Sequence, residues 1–402
     1  MYATRVRLQS LLVGFKGCVQ QLKLAKYSNA TQHSESIKIQ KALVVSKLSH
    51  YEFEMIRYNE LDKDELETRI RKRGTDFEKM MYYHNLHKSF ELNVVQQLEG
   101  LGIEVKVVNR PDYSEDLIEW ADIVMPTGGD GTFLFAASRV RNQDKMVVGF
   151  NSDPNRSEGH LCLPKKFSSN IKAAIVNLQQ GRFKWLMRSR IRTTVFGQTG
   201  CKLNPHHLHE VKECDALKYT TVEEGGTVLP YLALNEVFIG ETLSARVSHL
   251  GMWLNGSDQQ TNLKSSGICI STGTGSTSWN LSINRLPVQS VSELLRLLDI
   301  DATEGPESLA TVLAKMYNNN LIFHPEDKRM CYTIRDQISA GVWPQPKGIK
   351  SRGFIRELKV KSNCLDACLV IDGGVSFDFN DGTLAILQIQ PEDALRTVIM
   401  DD

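Results

Sequence analysis

The sequence predicts an α/β protein, a doubly wound parallel sheet in its N-terminal part joined to a β-rich C-terminal domain. Three observations predict it. Between residues 40 and 150 strand-like apolar runs alternate with helical spacing, the signature of βαβ units and a parallel sheet. One of those strands, Ile123-Val124-Met125, passes through the glycine turn Thr127-Gly128-Gly129-Asp130-Gly131-Thr132 straight into the helical pattern Phe133-Leu134-Phe135-Ala136-Ala137. Beyond Asn151 short runs rich in Val, Ile, Thr and aromatic residues take over, which favours pleated, half-buried strands.

Taken in order, Ala42-Leu43-Val44-Val45 reads as a buried strand, and helical spacing from Tyr82 to Leu98 is stopped by Gly100 and Gly102. Ile103–Val108 alternates like a strand, and Ser114–Trp120 is a short helix. The strand into Pro126, the glycine turn with its helix, and an apolar strand at Met146-Val147-Val148-Gly149-Phe150 complete the first unit. In the second, strands are expected at Ile191–Phe196, Tyr231–Ile239, Gly267–Ser271 and Ala367–Ile371, with helices at Val288–Leu298 and Ser308–Asn318. Residues 198–229 read as loop, and Pro344-Gln345-Pro346-Lys347-Gly348 as a surface excursion. The resulting division is 39–155, 156–380 and a C-terminal segment, 381–402, that is free to return to the first unit.

Composition narrows the function classes. With 402 residues and 41% hydrophobic content the chain can build two substantial cores. Its 48 basic and 47 acidic side chains leave a net charge of +1, so no overall field draws it to nucleic acid or to an anionic membrane. No apolar run reaches the length needed to cross a bilayer. Cys18, Cys162, Cys201, Cys214, Cys269, Cys331, Cys364 and Cys368 are scattered without zinc-ribbon or redox spacing, and read as reduced thiols. Residues 1–34 lack Asp and Glu, while Arg5, Arg7, Lys16, Lys23 and Lys26 are interspersed with Val6, Leu8, Leu11, Leu12, Val13, Phe15, Leu22 and Leu24. That is the composition of a mitochondrial transit peptide, here residues 1–38, although a basic tail would share the charge.

The chemistry sits in three stretches. Gly128, Gly129 and Gly131 let backbone N–H groups converge on an anion at a helix N-terminus, with the Thr132 hydroxyl beside them. Asp130 inside that turn would repel phosphate unless it accepts a proton from a hydroxyl or balances a divalent metal, which points to phosphoryl transfer. Ordinary Asp-Gly turn chemistry is the bland alternative. Asn235 and Glu236 stand inside the apolar run Leu232–Ile239, an expensive place for an amide and a carboxylate without partners, though neighbouring backbone could satisfy either. The hydroxyl- and glycine-dense loop Thr274-Gly275-Ser276-Thr277-Ser278 suits ribose and phosphate, or a plain hairpin connection. His206-His207-Leu208-His209-Glu210 has metal-ligand residue types but no second ligand cluster, so it reads as a solvated loop, and no residue is assigned to a resident metal.

Together these stretches resemble the NAD kinase family, whose members carry a Gly-Gly-Asp-Gly-Thr loop, an Asn-Glu pair in a strand and a Thr-Gly-Ser-rich loop in that order. The resemblance is to the mitochondrial branch, through Gly149–Pro164, Ala233–Glu241 and Asp372-Gly373-Gly374, and it covers about residues 40–402. It implies an NAD kinase-like fold and transfer of the γ-phosphoryl group of ATP to the 2′-hydroxyl of the adenosine ribose of NAD. By the same resemblance Asp130 is the catalytic carboxylate, the glycine amides hold donor phosphates, and Asn235 and Glu236 bind the dinucleotide. The Thr274–Ser278 loop then contacts adenine and ribose, Mg²⁺ accompanies ATP, and a homodimer in the mitochondrial matrix is expected. Inorganic polyphosphate remains open as a donor, as does the choice between NAD⁺ and NADH. Four positions depart from the family pattern: Ser266 replaces an acidic residue, Gly273 a proline, Trp279 a tyrosine and Leu163 an aromatic. Competing readings are a lipid or sugar kinase sharing the Asp130 loop, and a dinucleotide-binding sensor without turnover.

Overall fold

The computed structural model describes residues 35–197, 205–208, 219–222, 225–300, 308–338 and 349–400. The basic N-terminal stretch up to residue 34, the Pro344 excursion, His209, Glu210 and most of 198–224 lie outside the described residues.

The N-terminal layer runs β1 (Lys41–Ser46), α1 (His50–Arg57), α2 (Lys63–Lys72), α3 (Phe77–Glu99), β2 (Glu104–Val108), α4 (Glu115–Trp120), β3 (Ile123–Gly128), α5 (Asp130–Arg139), β4 (Met146–Val147), β5 (Phe150–Asn151), α6 (Lys165–Ser169), α7 (Ile171–Gln179) and β6 (Lys184–Arg188). Strands β1 to β5 pair in parallel. Period-2 geometry sends Ala42, Val44, Ile123 and Met125 to a core shared with Val94 and Leu98 of α3 and Ile171, Ile175 and Leu178 of α7. Leu43, Val45 and Val124 face the other way, onto Ile118 of α4 and Phe133, Ala136 and Ala137 of α5. Both faces are therefore covered, as a parallel sheet requires.

Helices α1 and α2 carry capping boxes that the hydrophobic spacing alone does not reveal, Ser49 with Glu52 and Asp62 with Glu65. The apolar run at 146–150 is split into β4 and β5, because the carbonyl of Gly149 turns aside to accept from the Leu163 amide at 2.9 Å.

The C-terminal layer contains β7 (Ile191–Phe196), β8 (His206–His207), β9 (Thr220–Thr221), β10 (Thr227–Val228), β11 (Glu236–Glu241), β12 (Ser248–Leu254), β13 (Thr261–Ser265), β14 (Gly267–Ser271), α8 (Trp279–Asn284), α9 (Val288–Leu297), α10 (Leu309–Asn320), β15 (Met330–Arg335), β16 (Arg352–Ile355), β17 (Glu357–Ser362), β18 (Ala367–Ile371), β19 (Val375–Asp378), β20 (Leu384–Ile389) and β21 (Leu395–Ile399). Two antiparallel sheets form, ordered β13-β12-β17-β20-β7-β10-β9 and β16-β15-β14-β11-β18-β19-β8. Their inner faces share one core that includes Ile191, Val195, Val237, Ile239, Leu250, Ile268, Leu358, Leu369 and Leu387.

Sheet membership changes later than composition suggests. Residues 165–188 lie past the division at 155/156, yet Phe167, Ala174 and Phe183 belong to the parallel-sheet core and β6 joins that sheet. The first sandwich strand starts at Ile191. At the other end β20 stays in the sandwich while β21 lies between β4 and β6.

Candidate active site

A cavity of about 1030 Å³ opens between the two layers. On the α/β side it is walled by Ser46 and Lys47 at the end of β1, by Gly129, Gly131 and Thr132 at the start of α5, and by Asp153 and Arg156; Tyr231, Asp372 and Gly374 close the sandwich side. Its position outside the carboxyl ends of β1 and β3 is where open α/β sheets bind ligands.

The glycine loop enters α5 with Gly129 as N-cap residue and Asp130 as the first helical residue. Free N–H groups of the first turn therefore meet the cavity beside Thr132, which makes this end of α5 an anion site. The Asp130 carboxylate points to the neighbouring loop: its two oxygens accept from the amides of His160 at 3.1 Å and Leu161 at 2.9 Å. A carboxylate has lone pairs to spare after two such bonds, so Asp130 both fixes residues 160–161 and keeps acceptor capacity. At the other end of α5, the fully buried Arg190 donates to the carbonyls of Ala137 at 3.2 Å, Val140 at 2.6 Å and Arg141 at 3.3 Å, and to that of Asp393. A cation there complements the helix dipole.

Lys47 and Arg156 were not singled out by sequence. Burial and the neighbouring Arg156 hold the Lys47 ammonium below its ordinary pKa. Arg156 is laid over the Tyr83 ring at 4.3 Å, leaving guanidinium N–H groups to face outward. Two adjacent cations beside helix N–H groups favour a polyanion.

On the sandwich side the organiser is Asp372. In the left-handed conformation (φ 48) and half-buried at the cavity wall, it accepts from the backbone N–H of Leu234 at 2.7 Å, Asn235 at 2.8 Å and Glu236 at 3.0 Å. Those amides cannot also join a ladder, which is why the strand expected over Tyr231–Ile239 begins only at Glu236. Burial raises the Asp372 pKa to about 6, against the pull of the three amides. Burial, with Asp372 nearby, raises Glu236 to about 8, so Glu236 is a protonated acid near neutrality. Among the described residues Oδ1 of Asn235 and Oε2 of Glu236, both buried, have no hydrogen-bond partner.

The Thr274–Ser278 loop is seated against this pair. The Thr272 amide donates to the Asn235 carbonyl at 2.9 Å, and the Thr272 hydroxyl donates to the Leu234 carbonyl at 2.5 Å. A methyl on Gly275 would stand 2.1 Å from the Asn235 carbonyl oxygen, and one on Gly273 only 1.8 Å from that of His324. Close approach thus explains glycine at 273, where the family pattern has proline. Trp279 packs on Phe238 with ring centroids 4.9 Å apart.

Comparison with known proteins decides the lineage. Over 380 residues the chain is 37% identical to NAD kinase 2, mitochondrial, of Rattus norvegicus, covering 90% of this chain and 88% of the relative. The chain belongs to the NAD kinase family. It is accordingly a phosphotransferase. Relatives of the same name from Homo sapiens (37% over 377 residues, covering 90% and 84%) and Xenopus tropicalis (36% over 406 residues, covering 92% of each) agree. The solved yeast NADH kinase complexed with NADH is similar in fold alone, with 14% identity and a TM-score of 0.53 over 93% of this chain and 88% of that one. No family model matches the chain.

Within this NAD kinase family member, Gly129, Gly131 and Thr132 stand on the cavity wall with Lys47 and Arg156. Gly128 is buried behind them at the end of β3, and Asp130 faces residues 160–161. Asn235, Glu236 and Thr274–Ser278 form a second group that reaches the cavity through Asp372. His206 and His207 pair with Val375–Ser376 as a short strand. Among the described residues no three His, Cys, Asp or Glu side chains form a metal cluster. Lys47, Arg188 and Arg190 gave no motif signal; Arg156 was visible only as part of Gly149–Pro164, and Asp372 only as part of Asp-Gly-Gly.

Proposed function

We infer that this chain transfers the γ-phosphoryl group of ATP to the 2′-hydroxyl of the adenosine ribose of NAD, giving NADP. The observation that carries the reading is the pair of orphaned buried atoms, Oδ1 of Asn235 and Oε2 of Glu236. A buried polar atom without a protein partner is costly, and a polar ligand would satisfy it. Beside them the protonated Glu236 is a donor suited to a ribose or carboxamide oxygen.

The α/β layer serves the donor, with the glycine amides and Lys47 from residues 39–155 and the adjoining Arg156 cation for the phosphates. Residues 156–380 serve the dinucleotide through their sandwich strands, with Asn235, Glu236 and Thr274–Ser278 around adenine and ribose. The last segment, 381–402, ties the two. Asp130 accepts the proton of the attacking hydroxyl. Mg²⁺ would accompany ATP and neutralise charge on the transferred group, with Asp153 a carboxylate in the cavity wall that could help hold it. The relatives' mitochondrial names and the acid-free basic N-terminus support import to the matrix through residues 1–38. Assembly as a homodimer belongs to the same reading, and sedimentation of the purified protein tests it.

The decisive experiment mixes protein lacking residues 1–38 with Mg²⁺, NAD⁺ or NADH, and ATP or polyphosphate, and reads NADP(H) with a coupled dehydrogenase. Turnover is expected with ATP. Asp130→Asn should reduce it by about 10²–10⁴-fold with nucleotide affinity little changed. Normal turnover in a folded Asp130→Asn protein removes Asp130 from the role of base, and no NADP(H) from wild type overturns the reading.

A further inference from the structure

Arg188 closes β6 in an unusual state. Its guanidinium is buried, yet among the described residues Nη1 donates to the Thr274 hydroxyl at 3.3 Å and Nε has no partner. Among the described residues it forms no ion pair; the charge acting on it is that of Asp130. Arg190, two residues on, shows what a structural arginine looks like in the same strand region: its hydrogens go to four backbone carbonyls. An apolar side chain would fill the Arg188 site without the desolvation cost of a charge.

The surroundings say what the charge is near. On one side, across the gap, within reach of the charge on Asp130 though not in contact with it, lies the 160–161 loop that Asp130 holds. On the other, Met187 donates its amide to the Glu326 carboxylate at 2.8 Å and Ser189 donates its own to the Pro325 carbonyl at 2.9 Å. That same stretch clasps the dinucleotide loop, since the Phe323 amide donates to the Ser276 hydroxyl at 3.2 Å and His324 abuts Gly273. The end of β6 therefore contacts the dinucleotide-loop half directly, and the Arg188 side chain bonds Thr274 while its charge faces Asp130 across the gap.

We propose that Arg188 is a positioning residue that holds the Thr274–Ser278 loop in register with Asp130, so that the acceptor hydroxyl and the carboxylate that deprotonates it meet. The proposal rests on the kinase reading above for its catalytic part, while its binding part can be measured without turnover.

The test uses Arg188→Met and Arg188→Lys in the full folded protein, with NAD binding followed by calorimetry and turnover by NADP(H) formation. Misplacement of reacting groups by about 1 Å costs on the order of 10²-fold, so Arg188→Met should lower kcat by that order. It should also weaken NAD about 10-fold while the KM for ATP stays within about 2-fold, and Arg188→Lys should recover part of both losses. In a double-mutant cycle with Thr274→Val the two losses should overlap, because each removes the same tether. A loss of kcat that tracks the folded fraction alone, with NAD affinity intact, overturns the proposal, as does strict additivity with Thr274→Val. If wild type binds NAD without making NADP, the kinase reading falls and Arg188 is judged on the binding data; if Arg188→Met then binds NAD as wild type does, the positioning role falls too.

Discussion

Gly275→Ala is the substitution whose outcome the geometry constrains most. The added methyl would stand 2.1 Å from the Asn235 carbonyl oxygen and 2.6 Å from its carbon, both backbone atoms that no rotamer change can move aside. Ordinary contact distances require the loop and the Leu234–Glu236 segment to part by about 1 Å. That movement strains the Thr272 amide bond to the same oxygen, 2.9 Å long in the native fold. Overpacking of this kind costs about 1–3 kcal/mol and a lost hydrogen bond about 1 kcal/mol more. A loss of about 2–4 kcal/mol lowers Tm by roughly 5–15 °C in a domain of this size. Because the displaced segment carries Asn235, the KM for NAD should rise more than that for ATP. Gly131→Ala is the matched control: nothing lies within 4 Å of its added methyl, so Tm should hold or rise while the ATP KM increases. Calorimetry and initial rates on both variants settle it. Wild-type Tm and wild-type NAD KM in Gly275→Ala would refute the reasoning.

Asn235→Ala removes an amide oxygen that has no protein donor, so the KM for NAD should rise by about 5–100-fold, worth about 1–3 kcal/mol, with Tm nearly unchanged; a large Tm drop would make the side chain structural. Glu236→Gln tests the buried acid through pH. Its folded pKa of about 8 lies above the ordinary 4.5, so the native state holds the proton more tightly than the unfolded chain, and stability is lost as pH climbs from about 4.5 to about 8. Glutamine never ionises, so the Tm of the variant should gain on wild type across that window and level off above it; a constant gap would contradict the burial argument. A fluorescent fusion of residues 1–40 should enter mitochondria, and one with Arg5 and Arg7 changed to Glu should not; diffuse signal from the first fusion removes the transit reading.

Much of the fold was legible where one principle acted alone. Strands β7, β14 and β18 match their apolar runs residue for residue, and α3, α9 and α10 lie within five residues of their spacing patterns. Reading failed where a distant group overrode the local pattern. The run Tyr231–Ile239 looks like one strand, but Asp372, more than a hundred positions away, takes three of its amides and turns the first half into an irregular binding segment. Helices α1 and α2 were missed because their apolar stripes are short and their capping boxes, not hydrophobic spacing, define them. The motif residues of the site were visible because glycine, amide and carboxylate are conspicuous among apolar neighbours. Lys47 and Arg188 were not, since a basic side chain in a chain with 48 of them acquires meaning only from what folding sets beside it.

The position of β21 sets when the parallel sheet is completed during the protein's own assembly. Strand β6 reaches the parallel sheet only through β21, pairing Leu395 with Arg188 and Ile399 with Lys184. A chain that emerges from a ribosome, or threads through a membrane pore, N-terminus first presents all three recognition motifs while that slot is still vacant. Pairing across some two hundred positions is slow, because the closure entropy of so long a loop must be overcome before any contact rewards it. The last strand is therefore the keystone of the parallel sheet: until it slides between β4 and β6, the strand that ends at Arg188 has no place in that sheet.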